Sequence, residues 1–590
     1  MKKYLFIALA ALGFAACAEK MDDNSPVQKG ELEESYIAIN LMAADVDTRA
    51  VTDPEGNADE YGYEQGTTAE RAIKTAYFFF FDAEGNAFNV TGNPASAPGG
   101  SVNHLSLTIS GATTTGMPNV SDIKEAVLVL NTYTGVYPSK IVAVLNWAPQ
   151  NKPYTLAELH EVMDNSIGND TNGYVMSNSV YMDGAGNVVD AVPLTAANIK
   201  TTPEAAKAAP VDIYVERTAA KVVLTASKKI GEVQNMILFD TQKNSNPVEV
   251  EEQSGSLSAL GEIDVYVQLH GWELYNDYST STLLKNINTS WDVTTLGLTW
   301  NDIPYFRCYW ALSQAKSQSD KFAWSYTNAD KEKNGFQTIY GFNVGASANY
   351  TDRTTYTYCG ENTNQIDGTT DPRTKVILKG QLMKKNGNTY ESLALARWYG
   401  TEYAGEDALK IAVANSLKHT IFSSENQTKY DPITPADLEC VAGKTVGAKE
   451  YEVGFQLSNT GANKTWYKYS SEKGYEILGG DAADKDKIKA ATNAHLITVE
   501  PALLYAEGNT YYIVDIEHLG TAGAKFGVVR NHVYQIDINS IKGYGSPIYN
   551  GLSFIVDQPE YPIEDEGSYV AAKINVLSWK VVKQQVNVGQ

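Results

Sequence analysis

Apolar residues along this chain recur mostly at every second position, the period of a strand with one face buried. Ser35-Tyr36-Ile37-Ala38-Ile39-Asn40-Leu41-Met42 sets Ile37, Ile39 and Leu41 on one side, which predicts a half-buried strand. Ile73 to Phe81 ends in four consecutive phenylalanines and meets Asp82-Ala83-Glu84-Gly85, a turn of hairpin type. Lys140-Ile141-Val142-Ala143-Val144-Leu145 is apolar without interruption after its lysine, as a strand covered on both faces would be. Asp212 to Arg217 and Lys221 to Thr225 read as two further strands that close a first domain near residue 228. The pattern restarts with Ile263 to Leu269 and continues through Lys375 to Leu378 and Thr510 to Val514. Helical signals are few. Thr155-Leu156-Ala157-Glu158 is a capping box, and short helices are expected over Glu406 to Leu417 and after Thr434-Pro435, where proline suits a first turn. The pattern predicts an all-β protein with a few short helices: two β-sandwich domains in tandem, 50–228 and 229–570, the second carrying long insertions.

The two ends of the sequence add a history to that fold. Met1-Lys2-Lys3, the apolar run Tyr4 to Ala16 and the small residues that end it make a secretory signal over 1–16, too short to span a bilayer as a helix. Phe14-Ala15-Ala16-Cys17 resembles a bacterial lipobox, in which Cys17 becomes the lipidated first residue. A plain signal peptide with an incidental cysteine is the alternative. Residues 17–49 then hold an acidic leader, the strand around Ile37 and the start of Asp45-Val46-Asp47-Thr48-Arg49-Ala50-Val51-Thr52-Asp53-Pro54-Glu55-Gly56-Asn57. This loop is rich in turn residues, and such loops are where proteases cut most easily. Cleavage of Arg49-Ala50 would free the strand before it. Ile37, Ile39 and Leu41 are worth about 1.5–3 kcal/mol each when buried, against about 5–15 kcal/mol for the stability of a whole domain. A trimmed domain would therefore hold an apolar groove in need of another strand. Residues 571–590 offer one, with Ile574, Val576, Leu577, Trp579, Val581, Val586 and Val588 in a strongly β-prone run. This segment either pairs within its own domain or adds itself to a neighbour's groove.

Composition narrows the chemistry. With 590 residues the chain can bury more than one core, and 37 tyrosines against 16 phenylalanines suit half-buried pleated surfaces. The formal charge of −23 repels phosphate backbones and anionic membranes, so nucleic acid is excluded as a partner. Four scattered cysteines with no CxxC pair point to neither a disulfide framework nor a zinc or redox site. None of the seven histidines sits in a ligand pattern: His160-Glu161 lacks a second histidine, position 164 being Asp164. Gly443-Lys444-Thr445 resembles the end of a phosphate loop, but Leu438 stands where that motif needs glycine. No GxSxG elbow occurs, and Asn169-Asp170-Thr171-Asn172-Gly173 lacks the ordered ligands of a calcium loop. No catalytic residue, metal site or cofactor is expected, and the chain does not read as an enzyme. Trp466-Tyr467-Lys468-Tyr469 is either an aromatic platform for sugars or a cross-strand aromatic patch, the second being the plainer account.

Three blocks give the chain a family likeness. Val215-Glu216-Arg217-Thr218-Ala219-Ala220-Lys221-Val222, Val528 to Gly543 around Arg530-Asn531-His532, and Val576-Leu577-Ser578-Trp579-Lys580-Val581 resemble the type V pilus fimbrillins, in particular the major-subunit type of the minor fimbrium. Tyr358-Cys359-Gly360-Glu361-Asn362-Thr363 adds a shorter match within the otherwise diffuse insertions. The resemblance implies two transthyretin-like β-sandwich domains. It also implies export as a lipoprotein on Cys17, brief anchoring in the outer membrane and trimming after Arg49 by an arginine-specific surface protease. The strand of Ile37, Ile39 and Leu41 would depart, and about Ile574 to Val588 of the next copy would fill the groove, building a pilus at the cell surface that supports adhesion and biofilm formation. Implied partners are further copies of the chain, anchor and tip subunits and the protease, and the family's anchors and tips differ in lacking the trimming or the free donor. The rival reading is a monomeric surface lipoprotein adhesin for glycan or host protein, with Trp466 and neighbouring tyrosines in its binding face. A tip or anchor subunit is the other alternative.

Overall fold

The computed structural model describes residues 32–43, 67–90, 102–107, 122–133, 137–164, 168–169, 171–179, 181–182, 188–225, 237–244, 249–251, 257–259, 263–276, 281–286, 313, 340–341, 355–364, 372–442, 452–518, 526–548, 569–577 and 582–585. Strands dominate it, with few and short helices, as the alternating pattern predicts.

The first sheet is built from β1 (Leu32–Ala43), β2 (Ala76–Phe81), β3 (His104–Leu107), β4 (Asp122–Tyr133), β5 (Lys140–Leu145), β6 (Met176–Asn178) and β7 (Val211–Arg217). Their spatial order is β3-β2-β5-β6-β7-β1-β4, with Val192–Pro193 beside β5. The uninterrupted apolar runs of β2 and β5 have their explanation here, because both strands are covered on two sides. Phe78, Phe80, Ile141, Ala143 and Leu145 join one cluster with Ile37, Leu128, Leu130, Ile213 and Val215. Phe79, Phe81, Val142 and Val144 join another with Tyr154, Leu159, Leu283 and Leu284. Leu159 comes from α1 (Leu156–Glu161), which opens with the expected capping box: the Thr155 hydroxyl accepts from Glu158 N, and the Glu158 carboxylate accepts from Thr155 N at 2.7 Å. After β2 the chain turns at Gly85, with φ of 89°, a backbone conformation that glycine adopts without strain.

The chain then passes into β8 (Ala219–Thr225), β9 (Ile237–Asn244), β10 (Asp264–Tyr275), β11 (Thr355–Gly360) and β12 (Lys375–Asn386). An insertion with its own core follows, holding α2 (Gly405–Leu417), β13 (Ile421–Ser423), β14 (Trp466–Ser470), β15 (Gly474–Ile477) and α3 (Lys485–Leu496). Leu409, Val413, Trp466, Ile488 and Leu496 pack together in that core. The main fold resumes with β16 (Asn509–Asp515), β17 (Val533–Lys542), β18 (Tyr569–Leu577) and β19 (Val582–Gln585). These strands form two sheets, β11-β8-β17-β18-β19 and β9-β10-β12-β16 continuing to Ser546–Pro547. Close approach of β9 to β17 and of β16 to β18 joins them.

Two local expectations change. The strand over Lys221 to Thr225 does not close the first domain: β8 pairs with β17 and β11, so the chain crosses into the second set of sheets at Thr218, ahead of residue 228. The crossing follows from hydrogen bonding, since Thr218 N still donates to Val175 O while Asn531 N donates to Ala219 O. After Thr434 there is only a single 3₁₀ turn, Pro435–Asp437. Asp437 accepts from both the backbone and the hydroxyl of Thr434, as at a helix start, but the backbone turns extended at Leu438, and the strand Leu438–Ala442 follows at once.

Candidate assembly site

The departing strand of the sequence reading is β1, and it lies inside its sheet. All twelve of its residues pair antiparallel with β4, from Leu32 opposite Tyr133 to Ala43 opposite Asp122. On the other side Ile39 to Ala43 pair parallel with Val211 to Val215 of β7. Ile37 is fully buried among the Phe78, Leu128 and Ile213 side chains, and Ala38 is buried beside it. The backbones of Ile39 and Leu41 hold their places in both ladders, while their side chains lie outside the described set. Taking β1 away leaves two facing ladders without a partner and a slot lined by core residues.

At the other end of the chain, Ile574, Val576 and Leu577 lie in β18, antiparallel to β17, with Val533 opposite Leu577 and Ile536 opposite Ile574. β19 returns along β18 through four residue pairs. Within the single chain this part of the tail pairs in its own domain, the first of the two readings the sequence left open. Cys17, Arg49, Ala50, Trp579, Val581, Val586 and Val588 lie outside the described residues.

Three of the blocks that carry the likeness meet at the crossing between β7 and β8, although two of them stand more than 130 residues from the first. Arg530 donates from Nε to Glu361 Oε2 at 3.0 Å and from Nη2 to Glu361 Oε1 at 3.1 Å and Thr282 O at 2.9 Å. Lys285 Nζ stands 2.9 Å from Glu216 Oε1, both side chains fully buried. Arg217 Nε donates to Glu70 O, and Lys221 Nζ pairs with Glu70 Oε1 at 2.9 Å, where the Tyr358 hydroxyl also donates. Asn362 and Val528 exchange backbone hydrogen bonds, both 2.8 Å. Burial pushes the Glu361 carboxyl up, but the Arg530 guanidinium outweighs it and holds the group below the ordinary range. Glu70 is lowered in the same way, burial being outweighed by the Tyr358 hydroxyl and the Lys221 ammonium. For Glu216 burial wins over Lys285 and the carboxyl is raised. A dense set of matched buried charges welds the first sheet to the second half of the chain. Sequence reading picked out these blocks without revealing that they converge.

Trp466 is fully buried and donates from Nε1 to Gly461 O at 2.8 Å, so it belongs to the core of the insertion and to no binding face. Tyr469 lies opposite Tyr475 as a cross-strand pair of rings. Among the described residues no group of three or more His, Cys, Asp or Glu side chains is placed to hold a metal ion.

None of the curated proteins matches the chain in sequence. Solved structures that align with it include a fimbrilin from Porphyromonas gingivalis, 12% identical over 91% of this chain and 96% of that one with a TM-score of 0.32. A fimbrial assembly protein from Parabacteroides distasonis is 11% identical over 75% and 100%, TM-score 0.26. The tip fimbrial protein Mfa3 from Porphyromonas gingivalis is 11% identical over 92% and 99%, TM-score 0.26. The family model of the major fimbrial subunit protein type IV, fimbrillin, C-terminal, matches residues 503–585. That segment contains β16 to β19, including the Arg530 block, and through it the likeness to the fimbrillins of type V pili is borne out.

Proposed function

We propose that this chain is a stalk subunit of a cell-surface pilus, exported as a lipoprotein on Cys17, trimmed after Arg49 and polymerised by strand exchange. The coarse part of the reading, a fimbrial subunit and not an enzyme, follows from the family match over residues 503–585. One observation carries the finer part. β1 sits between β4 and β7 with a fully buried Ile37, so its loss opens a slot with two hydrogen-bonding walls rather than merely baring an edge. Only a strand fills such a slot, because both walls present backbone donors and acceptors that are costly to leave unpaired away from water.

The tail of another copy is the proposed occupant. Because Ile574 to Leu577 are engaged with β17, the donor is placed in the residues after Leu577. At least thirteen residues, 578–590, follow it, enough to span the twelve of β1. Among the described residues, freeing them opens the four pairs between β18 and β19. Head-to-tail contacts of this kind do not close on themselves and give filaments. The proposed partners are further copies, anchor and tip subunits and an arginine-specific surface protease, and the proposed role is adhesion and biofilm formation.

The test is to treat the purified precursor with a trypsin-like protease and follow it on gels. A stalk subunit loses everything up to Arg49 and then forms a ladder of multimers, whereas Arg49→Ala does neither. A trimmed protein that stays monomeric at high concentration would overturn the reading in favour of a monomeric adhesin.

A further inference from the structure

The insertion carries an aromatic face that the assembly scheme leaves unused. Asp431–Pro432, β13, β14 and β15 form a small four-stranded sheet. One side of it, with Ile421 and Trp466, packs on α2 and α3 in the core of the insertion. The other side brings together Phe422 opposite Tyr467 and Tyr469 opposite Tyr475, joined by Tyr430 from the preceding loop. The rings brace one another: Tyr430 stacks flat on Tyr475 at 3.7 Å, and Phe422 meets Tyr475 edge-on at 5.1 Å. Tyr469 lies 4.9 Å from Tyr475, and these two are each 40% exposed. A partly exposed ring braced by neighbouring rings is a rigid platform that loses little entropy on binding.

We infer that this face, centred on Tyr469 and Tyr475 with Tyr430 behind them, binds a neutral oligosaccharide. Phenol rings offer a flat apolar surface to the C–H faces of a sugar and a hydroxyl at the edge for its polar groups. In the exposed loop just before Tyr430, where the Thr428 hydroxyl donates to Asn426 Oδ1, the Asn426 and Gln427 amides supply further polar groups. The charge at the rim selects among saccharides. At this rim Lys429 pairs with Asp431 at 2.8 Å and Lys473 with Glu476 at 3.7 Å, so these two cations are offset by carboxylates and do not form a basic patch for sulfate or carboxylate groups. The −23 charge of the whole chain disfavours acidic glycans, which leaves uncharged sugars as the complementary saccharides. The inference does not depend on polymerisation, since the face belongs to the single subunit.

The experiment uses the full chain on an array of neutral gluco-, manno- and N-acetylhexosamine oligosaccharides beside sialylated and sulfated ones, with calorimetric titration of the strongest binder. Neutral oligosaccharides are expected to bind, with an affinity unchanged between about 50 and 300 mM salt. Tyr469→Ala and Tyr475→Ala are each expected to weaken binding about tenfold while the chain remains folded at the temperature of the titration, and Tyr469→Phe, which keeps the ring, by far less. The inference falls if no neutral oligosaccharide binds, if only charged ones do, or if both alanine variants bind like the parent. It falls equally if the alanine variants instead abolish a self-association of the subunit, for the face is then a contact between copies.

Discussion

Arg530 is the residue on which the junction turns, because its side chain serves Glu361 and the backbone of Thr282 and Leu283 together. Arg530→Met takes from the buried Glu361 its hydrogen-bonded counter-charge, leaving only the field of Lys285, which typically costs about 3–5 kcal/mol, and urea unfolding at neutral pH measures it. Acid should reach the same site. Glu361 and Glu70 are both held below their ordinary 4.5, so the stability they lend is complete above that value and is lost as the pH falls through their lower folded values. The urea midpoint is expected to drop on acidification below about pH 4.5, and Glu361→Gln, less stable at neutral pH, to drop less steeply. The sequence displays these residues but not their meeting. Arg217 and Asn531 are 314 positions apart, and no local period reports a contact over that distance. Trp466 shows the opposite limit, since a tryptophan beside two tyrosines reads as a platform or, more plainly, a cross-strand patch until its indole N–H finds Gly461 O.

Elements whose signal is local were legible before any coordinates. β2 and β5 follow from their apolar runs, α1 from its capping box and α2 from its pattern, and Thr155→Ala should cost about 1 kcal/mol by removing that cap. β1 was legible as a strand, but its place between two neighbours was not, because alternation reports a buried face and is silent on how many edges are paired. Ile37 offers the sharper probe. Ile37→Ala in the untrimmed chain empties part of the first core and should lower stability by about 2–5 kcal/mol. In a trimmed and separated chain the same substitution is absent from the domain, so a synthetic peptide of residues 32–43 should bind and its Ile37→Ala version should bind far more weakly. β8 was misassigned to the first domain for a related reason: one residue, Thr218, separates it from β7, and a change of sheet without a loop leaves no mark in composition.

At the scale of the whole molecule, the strands that flank the slot and the tail that is proposed to fill a neighbour's slot belong to different halves of the chain. A chain ending at Leu577 keeps β18 against β17 and should fold and be trimmed normally, yet build no ladder; multimers formed by that variant would remove the tail from the mechanism. The position of β1 has one more consequence. While it stays in place, the walls of β4 and β7 that it covers cannot template any other chain, and a row of unpaired backbone groups is what makes partly finished β-proteins clump. On the proposed scheme the leader would serve as a built-in chaperone: the precursor could be made, concentrated and carried through the envelope as an inert monomer, becoming sticky only where and when its own first strand is cut away.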